Sequence, residues 1–129
     1  LKIKLGELST IIGSLNKLID KEIPIKTSYK LSKLTRNLMN EYKIYEDNRM
    51  KLINKYAEKD ENGNIKINKE DNTIMILNGN RDKFNNEFIE LVNIEIELEF
   101  DKIKLDDLND VMISPRDLLN LDFLFNEDN

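Results

Sequence analysis

Leu1, Ile3 and Leu5 alternate with Lys2 and Lys4, which predicts a short strand with one apolar and one basic face. From Glu7 onward the spacing changes. Leu8, Ile11, Ile12, Leu15, Leu18 and Ile19 recur at helical intervals, and Pro24 closes that helix. Gly13 inside it costs about 1 kcal/mol relative to alanine. Thr27 or Ser28 can cap a second helix over about residues 27–58, with Leu31, Leu34, Leu38, Tyr42, Tyr45, Leu52 and Tyr56 on its apolar seam. Part of that seam repeats every seven residues, and Arg49 interrupts it. No glycine or proline occurs between residues 27 and 58, so the helix should run roughly 45–50 Å. That is longer than a compact domain of this size is wide. The helix should therefore protrude, pair with another helix along much of its length, or meet another chain, a second copy of itself included.

Residues 58–64 are polar and contain the turn pair Asn62-Gly63. Residues 65–67 and 73–76 read as the two strands of a hairpin. Asn80 can cap a third helix that buries Phe84, Phe88, Leu91 and Val92. Next, Ile94, Ile96, Leu98 and Phe100 alternate strictly with Glu95, Glu97 and Glu99. A helix would scatter those apolar residues, whereas a strand gathers them on one face. The phase slips at Asp101 and Lys102, which marks a bulge or turn. Ser114-Pro115 is a strong helix start, leading to a last short helix that buries Leu118, Leu119, Leu121 or Leu124, and Phe125. The polar tail 126–129 should fray. The expected fold is a single α+β domain over 1–129, helix-dominated. It has one long helix, two or three shorter helices and a small, mainly antiparallel sheet with a hairpin near 65–76.

The word KIKL occurs twice, at residues 2–5 and 102–105. Each copy puts Ile and Leu on one face and two lysines on the other. The Glu95/Glu97/Glu99 segment is the complement, and opposite charges across a strand pair contribute roughly 0.2–1 kcal/mol each. KIKL is therefore expected as an edge strand used twice in one small sheet. An ancestral duplication is the other reading, because Leu8, Ser14 and Leu18 recur as Leu108, Ser114 and Leu118.

Composition narrows the chemistry. The chain has no cysteine and no histidine. That removes disulfides, thiolate zinc sites, cysteine nucleophiles and the usual general base. No apolar run approaches the roughly 20 residues that span a bilayer, and charges interrupt the first residues, so a cytoplasmic chain is expected. Net charge is −5, divided as +6 over residues 1–56 and −11 over 57–129. Such asymmetry marks either two faces with different partners or two halves that pair with each other.

Four groups of residues invite a chemical role. The loop over 58–69 has calcium-like spacing at Asp60, Asn62 and Gly63, but Lys69 stands where a bidentate carboxylate is required. Asp101, Asp106, Asp107 and Asp110 could converge on Mg²⁺, or serve as turn and helix-start residues. Lys26, Lys30, Lys33, Arg36 and Lys43 trace one flank of the long helix, as a phosphate-following stripe or as solvated surface. Glu95, Glu97, Glu99 and Asp101 form an acidic row, about 6–7 Å between alternate residues. That is near the phosphate spacing of a nucleic-acid strand, so such a row can occupy a basic groove. The competing reading pairs it with Lys2, Lys4 and Lys104. No cofactor motif and no glycine-rich phosphate loop is present.

The order of segments resembles a family of small, uncharacterised proteins encoded by phages and prophages of Gram-positive bacteria. The resemblance runs through KLINKYAEKDENGNIKI, FIELVNIEIEL, IKLDDL and SPRDLLNLDFL, and its most specific part is residues 51–67. That family has no established catalytic residues to carry over. The resemblance implies a non-enzymatic, phage-borne protein-binding protein, foremost an inhibitor of a host defence nuclease of the anti-CRISPR type. A phage tail or assembly component and a metal-dependent enzyme are the alternatives. The partner-binding residues expected are Glu95, Glu97, Glu99 and Asp101 with Lys30, Lys33 and Arg36.

Overall fold

A computed structural model describes residues 1–108 and 110–125. It is an α+β protein whose spine is the long helix. The first elements are strand β1 (Lys2–Lys4), a 3-10 turn (Leu5–Glu7) and helix α1 (Leu8–Ile19). Leu8, Ile11, Ile12, Leu15 and Leu18 of α1 are buried, as their spacing predicts, whereas Ile19 faces solvent.

Helix α2 spans Ile25–Tyr56, 32 residues. Pro24, not Thr27 or Ser28, occupies its N-cap, in an extended conformation that feeds directly into the helix. Thr27 is buried instead, and its hydroxyl donates to Asp107 Oδ2 at 2.8 Å. Leu31, Leu34, Leu38, Tyr45, Ile53 and Tyr56 form the buried seam. Arg49 is no defect there. It pairs with Glu46 through two hydrogen bonds of 3.0 Å, which depress the Glu46 carboxyl and raise the guanidinium.

After α2, Ala57 and Lys59 bridge to Ile76 and Ile65, and a hairpin of β2 (Ile67–Asn68) and β3 (Thr73–Ile74) follows. Gly63 (φ 83°) and Asn72 (φ 60°) take the left-handed conformation at its two turns. Helix α3 (Arg81–Val92) then runs back along α2. Phe84 meets Tyr56 edge-on at 6.3 Å and stacks with Phe88 at 5.9 Å, while Lys55 reaches Glu87 at 3.2 Å. Asn80 precedes α3, but its side chain makes no capping bond. The α3 apolar residues Phe84, Phe88, Leu91 and Val92 are half-buried.

Strand β4 is short, Glu95–Glu97, and pairs antiparallel with β1. Lys2 faces Glu97, Ile3 faces Ile96 and Lys4 faces Glu95, so the charge-matched pairing expected from the sequence forms. The second KIKL does not join this sheet. Ile103 makes a single parallel bridge to Phe125, and Leu105 starts a 3-10 turn (Leu105–Leu108). Lys104 therefore has no place opposite the glutamates. The hairpin forms a separate two-stranded sheet.

Helix α4 (Pro115–Asn120) is capped as predicted: the Asp117 amide donates to Ser114 Oγ at 3.1 Å. Leu119 points to solvent at 75% exposure, and Leu121 and Leu124 fill the core in its place. The tail 126–129 lies outside the described residues.

The core joins β1, α1, the first two-thirds of α2, Leu98, Ile103, Leu108, Leu121 and Leu124. Helix α1 packs on one part of α2, and α3 on another. Much of α2 is thus packed within its own chain, while Ile25, Tyr29, Met39, Ile44 and Met50 on its other faces stay exposed.

Candidate functional site

The seven residues expected to bind a partner fall on two elements. Lys30, Lys33 and Arg36 lie on the outward flank of α2. Glu95 and Glu97 belong to β4, and Glu99 and Asp101 to the extended segment after it. The chain returns from α3 antiparallel to α2, and this carries Glu99 and Asp101 alongside the first turns of the long helix. Lys30, Lys33 and Leu34 form one wall of a trough of about 380 Å³, and Glu99, Phe100 and Asp101 form the other. The trough continues toward the C-terminal end of α2 as a hollow of about 310 Å³ between Asn37, Asn40 and Glu41 and the strand residues Ile96, Glu97 and Leu98. Past Lys30 and Asp101 it opens onto the exposed Ile25 and Tyr29.

Five predicted residues, Lys30, Lys33, Glu97, Glu99 and Asp101, therefore share one site, although the sequence placed them in two separate patches. Arg36 is exposed but belongs to neither wall. The trough also takes in Asn37, Asn40, Glu41 and Phe100, which the sequence does not single out as site residues, beside the apolar Leu34, Ile96 and Leu98. Lys30, Lys33, Asn37 and Glu41 follow one another at helical spacing on the polar flank beside the seam, which was the available signal. Lys30 Nζ also donates to the Lys102 carbonyl at 3.4 Å, tying the helix to the strand's continuation. Lys33 lies 5.7 Å from the Tyr29 ring centre, within cation–π range.

The acidic row is exposed throughout, yet it is not an isolated field of negative charge. Glu95 and Glu97 stand opposite Lys4 and Lys2 in register. Among the described residues no lysine comes within 4 Å of either carboxylate. The cross-strand lysines thus neighbour the glutamates without pairing with them, and both carboxylates face solvent.

The remaining candidates have structural partners. Asp60 Oδ1 accepts from the Asn62 and Asn64 amides at 2.9 Å each and closes the turn of the calcium-like loop. Asp107 holds Thr27. No group of three acidic side chains is placed to hold a metal among the described residues. Ser14 and Ser114, which correspond in the KIKL register, both donate to Asp117, at 2.9 Å to Oδ1 and Oδ2 respectively. Asn120 adds a bond to Ser14 Oγ at 3.0 Å. Those bonds, Ser14 first and Ser114 second, hold the Asp117 carboxyl below the usual aspartate range, with Lys17 and Arg116 adding to the effect.

The fold and the trough together define a small α+β protein built on one helical spine, with a mixed-charge groove along it. Comparison with protein-family models, with curated proteins and with solved structures finds no match. No helix among the described residues is long and apolar enough to cross a membrane.

Proposed function

We propose that this chain is a non-enzymatic protein-binding protein of a phage or other mobile element, which inhibits a host defence nuclease of the anti-CRISPR type by covering its basic surface. The observation that carries the reading is the exposed row of Glu95, Glu97 and Glu99, whose carboxylates no lysine pairs with among the described residues. Alternate residues of an extended chain repeat every 6–7 Å or so, a spacing suited to a groove that grips a nucleic-acid strand. The resemblance of the sequence to small phage proteins supplies the biological setting.

The test is affinity capture from the native host, read by mass spectrometry, together with a DNA-cleavage assay of the captured nuclease. The wild-type chain is expected to retain a nuclease component and to suppress its cleavage. The triple variant E95Q/E97Q/E99Q should lose both. Glutamine preserves size, whereas lysine at 95 or 97 would face Lys4 or Lys2 and weaken the sheet by roughly 0.2–1 kcal/mol per pair. Retained capture and inhibition by the glutamine variant would overturn the reading. So would recovery of virion proteins alone, which would mark an assembly component.

A further inference from the structure

Strand β4 has one partner and two edges. The amide of Leu98 donates to Leu1 and the amide of Leu5 donates to Ile94, with Ile3 opposite Ile96 between them. In an antiparallel ladder, hydrogen-bonded and non-hydrogen-bonded pairs alternate. Lys2–Glu97 and Lys4–Glu95 are therefore non-hydrogen-bonded pairs, and the backbone groups of Glu95 and Glu97 point away from β1. Among the described residues, no hydrogen bond uses the amides or carbonyls of Glu95, Glu97 or Glu99. The outer edge of β4 is an open template, and the trough along α2 lies on that side, since its walls include no residue of β1.

We propose that this edge docks an extended, basic segment of the partner, which adds to the β1–β4 pair as a third strand with one flank in the trough. The proposal rests on the reading of the chain as a protein-binding protein. Two observations decide the occupant. A second copy is disfavoured, because two β4 edges side by side would set glutamates against glutamates, and like charges directly opposite destabilise a sheet. The chain also displays the chemistry that fits: on its other edge β4 already holds Lys2-Ile3-Lys4. An occupant with lysine or arginine alternating with an apolar residue repeats that match against Glu95, Glu97 and Glu99. Backbone hydrogen bonds would supply affinity and the side-chain alternation would supply specificity. Lys30 and Lys33 mark the end of the trough where the basic alternation should stop.

The test uses the full chain and a short peptide of alternating lysine and isoleucine. Its control is the same peptide methylated at alternate backbone nitrogens, which keeps the charge and removes the edge-facing donors. Hydrogen exchange of the Glu95 and Glu97 amides, followed by NMR, should slow by about tenfold or more with the first peptide and not with the second. Unchanged exchange, or equal binding of both peptides, would overturn the proposal. Glu97→Pro removes an outward amide without touching the bonds to β1, and should abolish peptide binding while β1–β4 cross-peaks persist. Should that variant fail to fold, the methylated peptide on the wild-type chain still decides. A captured nuclease that leaves the β4 amides unprotected would sink the docking edge and spare the proposed function. Loss of the function itself is read separately, from the glutamine variant.

Discussion

The two copies of KIKL have the same four side chains and different fates. In residues 2–5 the isoleucine is buried, the leucine is buried at 6% exposure, and the segment is a strand paired with β4. In residues 102–105 the isoleucine is equally buried, but the leucine stands at 43% exposure and the segment makes one bridge. Both copies then enter a 3-10 turn that starts at the leucine, and the leucines three residues further on, Leu8 and Leu108, are both buried. What separates the copies is the company they keep. The first has a glutamate strand beside it and α3 above it, close enough that a Cβ on Gly6 would stand 3.2 Å from Val92 Cβ. The second has no strand beside it among the described residues: it makes a single bridge to Phe125, where the Ile103 amide donates to the Leu124 carbonyl at 2.8 Å, and its Lys102 carbonyl accepts from Lys30. Alternation in a sequence specifies a face, and a strand forms only where a neighbour offers a ladder.

The comparison is most strongly tested in the core. Ile3→Ala and Ile103→Ala should each cost about 2–5 kcal/mol in denaturant unfolding, and Leu5→Ala should cost a similar amount. Leu105→Ala should stay within about 1 kcal/mol, because half-exposed leucine loses little on truncation. Equal losses at Leu5 and Leu105 would mean that the copies are equivalent after all.

A smaller effect is expected where the two registers meet, at Asp117. Its carboxyl is held below the ordinary range by Ser14 and Ser114. A depressed native value means that the ionised group stabilises the fold above the unfolded value of about 3.9. That contribution is lost as pH falls through the depressed native value. Asp117→Asn should lower the thermal midpoint at neutral pH and flatten the acid side of the stability curve. An unchanged acid limb would show that the paired serines contribute nothing there.

The smallest effect separates the lysines. Reversing Lys2 and Lys4 to glutamate should cost about 0.2–1 kcal/mol for each pair with β4, diminishing as salt is added. The same change at Lys102 and Lys104 should stay within about 0.5 kcal/mol, since neither side chain faces a glutamate strand. Matching losses in the two double variants, measured at low ionic strength, would contradict the observed sheet.

Most of the elements were legible because their apolar residues keep one period for several turns. The seam of α2 was read from Leu31 to Tyr56, but with Leu52 in place of the more deeply buried Ile53. A strict seven-residue step drifts by about 20° per heptad on a straight helix. Three heptads from Leu31, the drift has turned Leu52 partly away from the core. The start of α2 was misplaced by two residues because Ile25 is an exposed apolar residue outside the seam, and Pro24 caps through its backbone conformation alone. The alternation predicts a strand over residues 94–100, whereas β4 is paired over Glu95–Glu97, because alternation marks a face and not the extent of a ladder. The candidate site was legible as residue types and illegible as a place. Nothing local in Lys30 or Asp101 says that seventy residues later the chain will return antiparallel to the long helix.

The pairing of Lys2 with Glu97 spans nearly the whole chain. During synthesis at roughly 5–20 residues per second, the first strand emerges on the order of 5–20 s before its complement exists. Helices α1 and α2 can associate in that interval, but the amino-terminal segment must wait with its ladder unmade. Two lysines flanking a single isoleucine keep such a waiting strand hydrated and poorly suited to aggregation. The charges that later face the glutamates thus also disfavour pairing of that strand with the wrong edge while its own partner is absent.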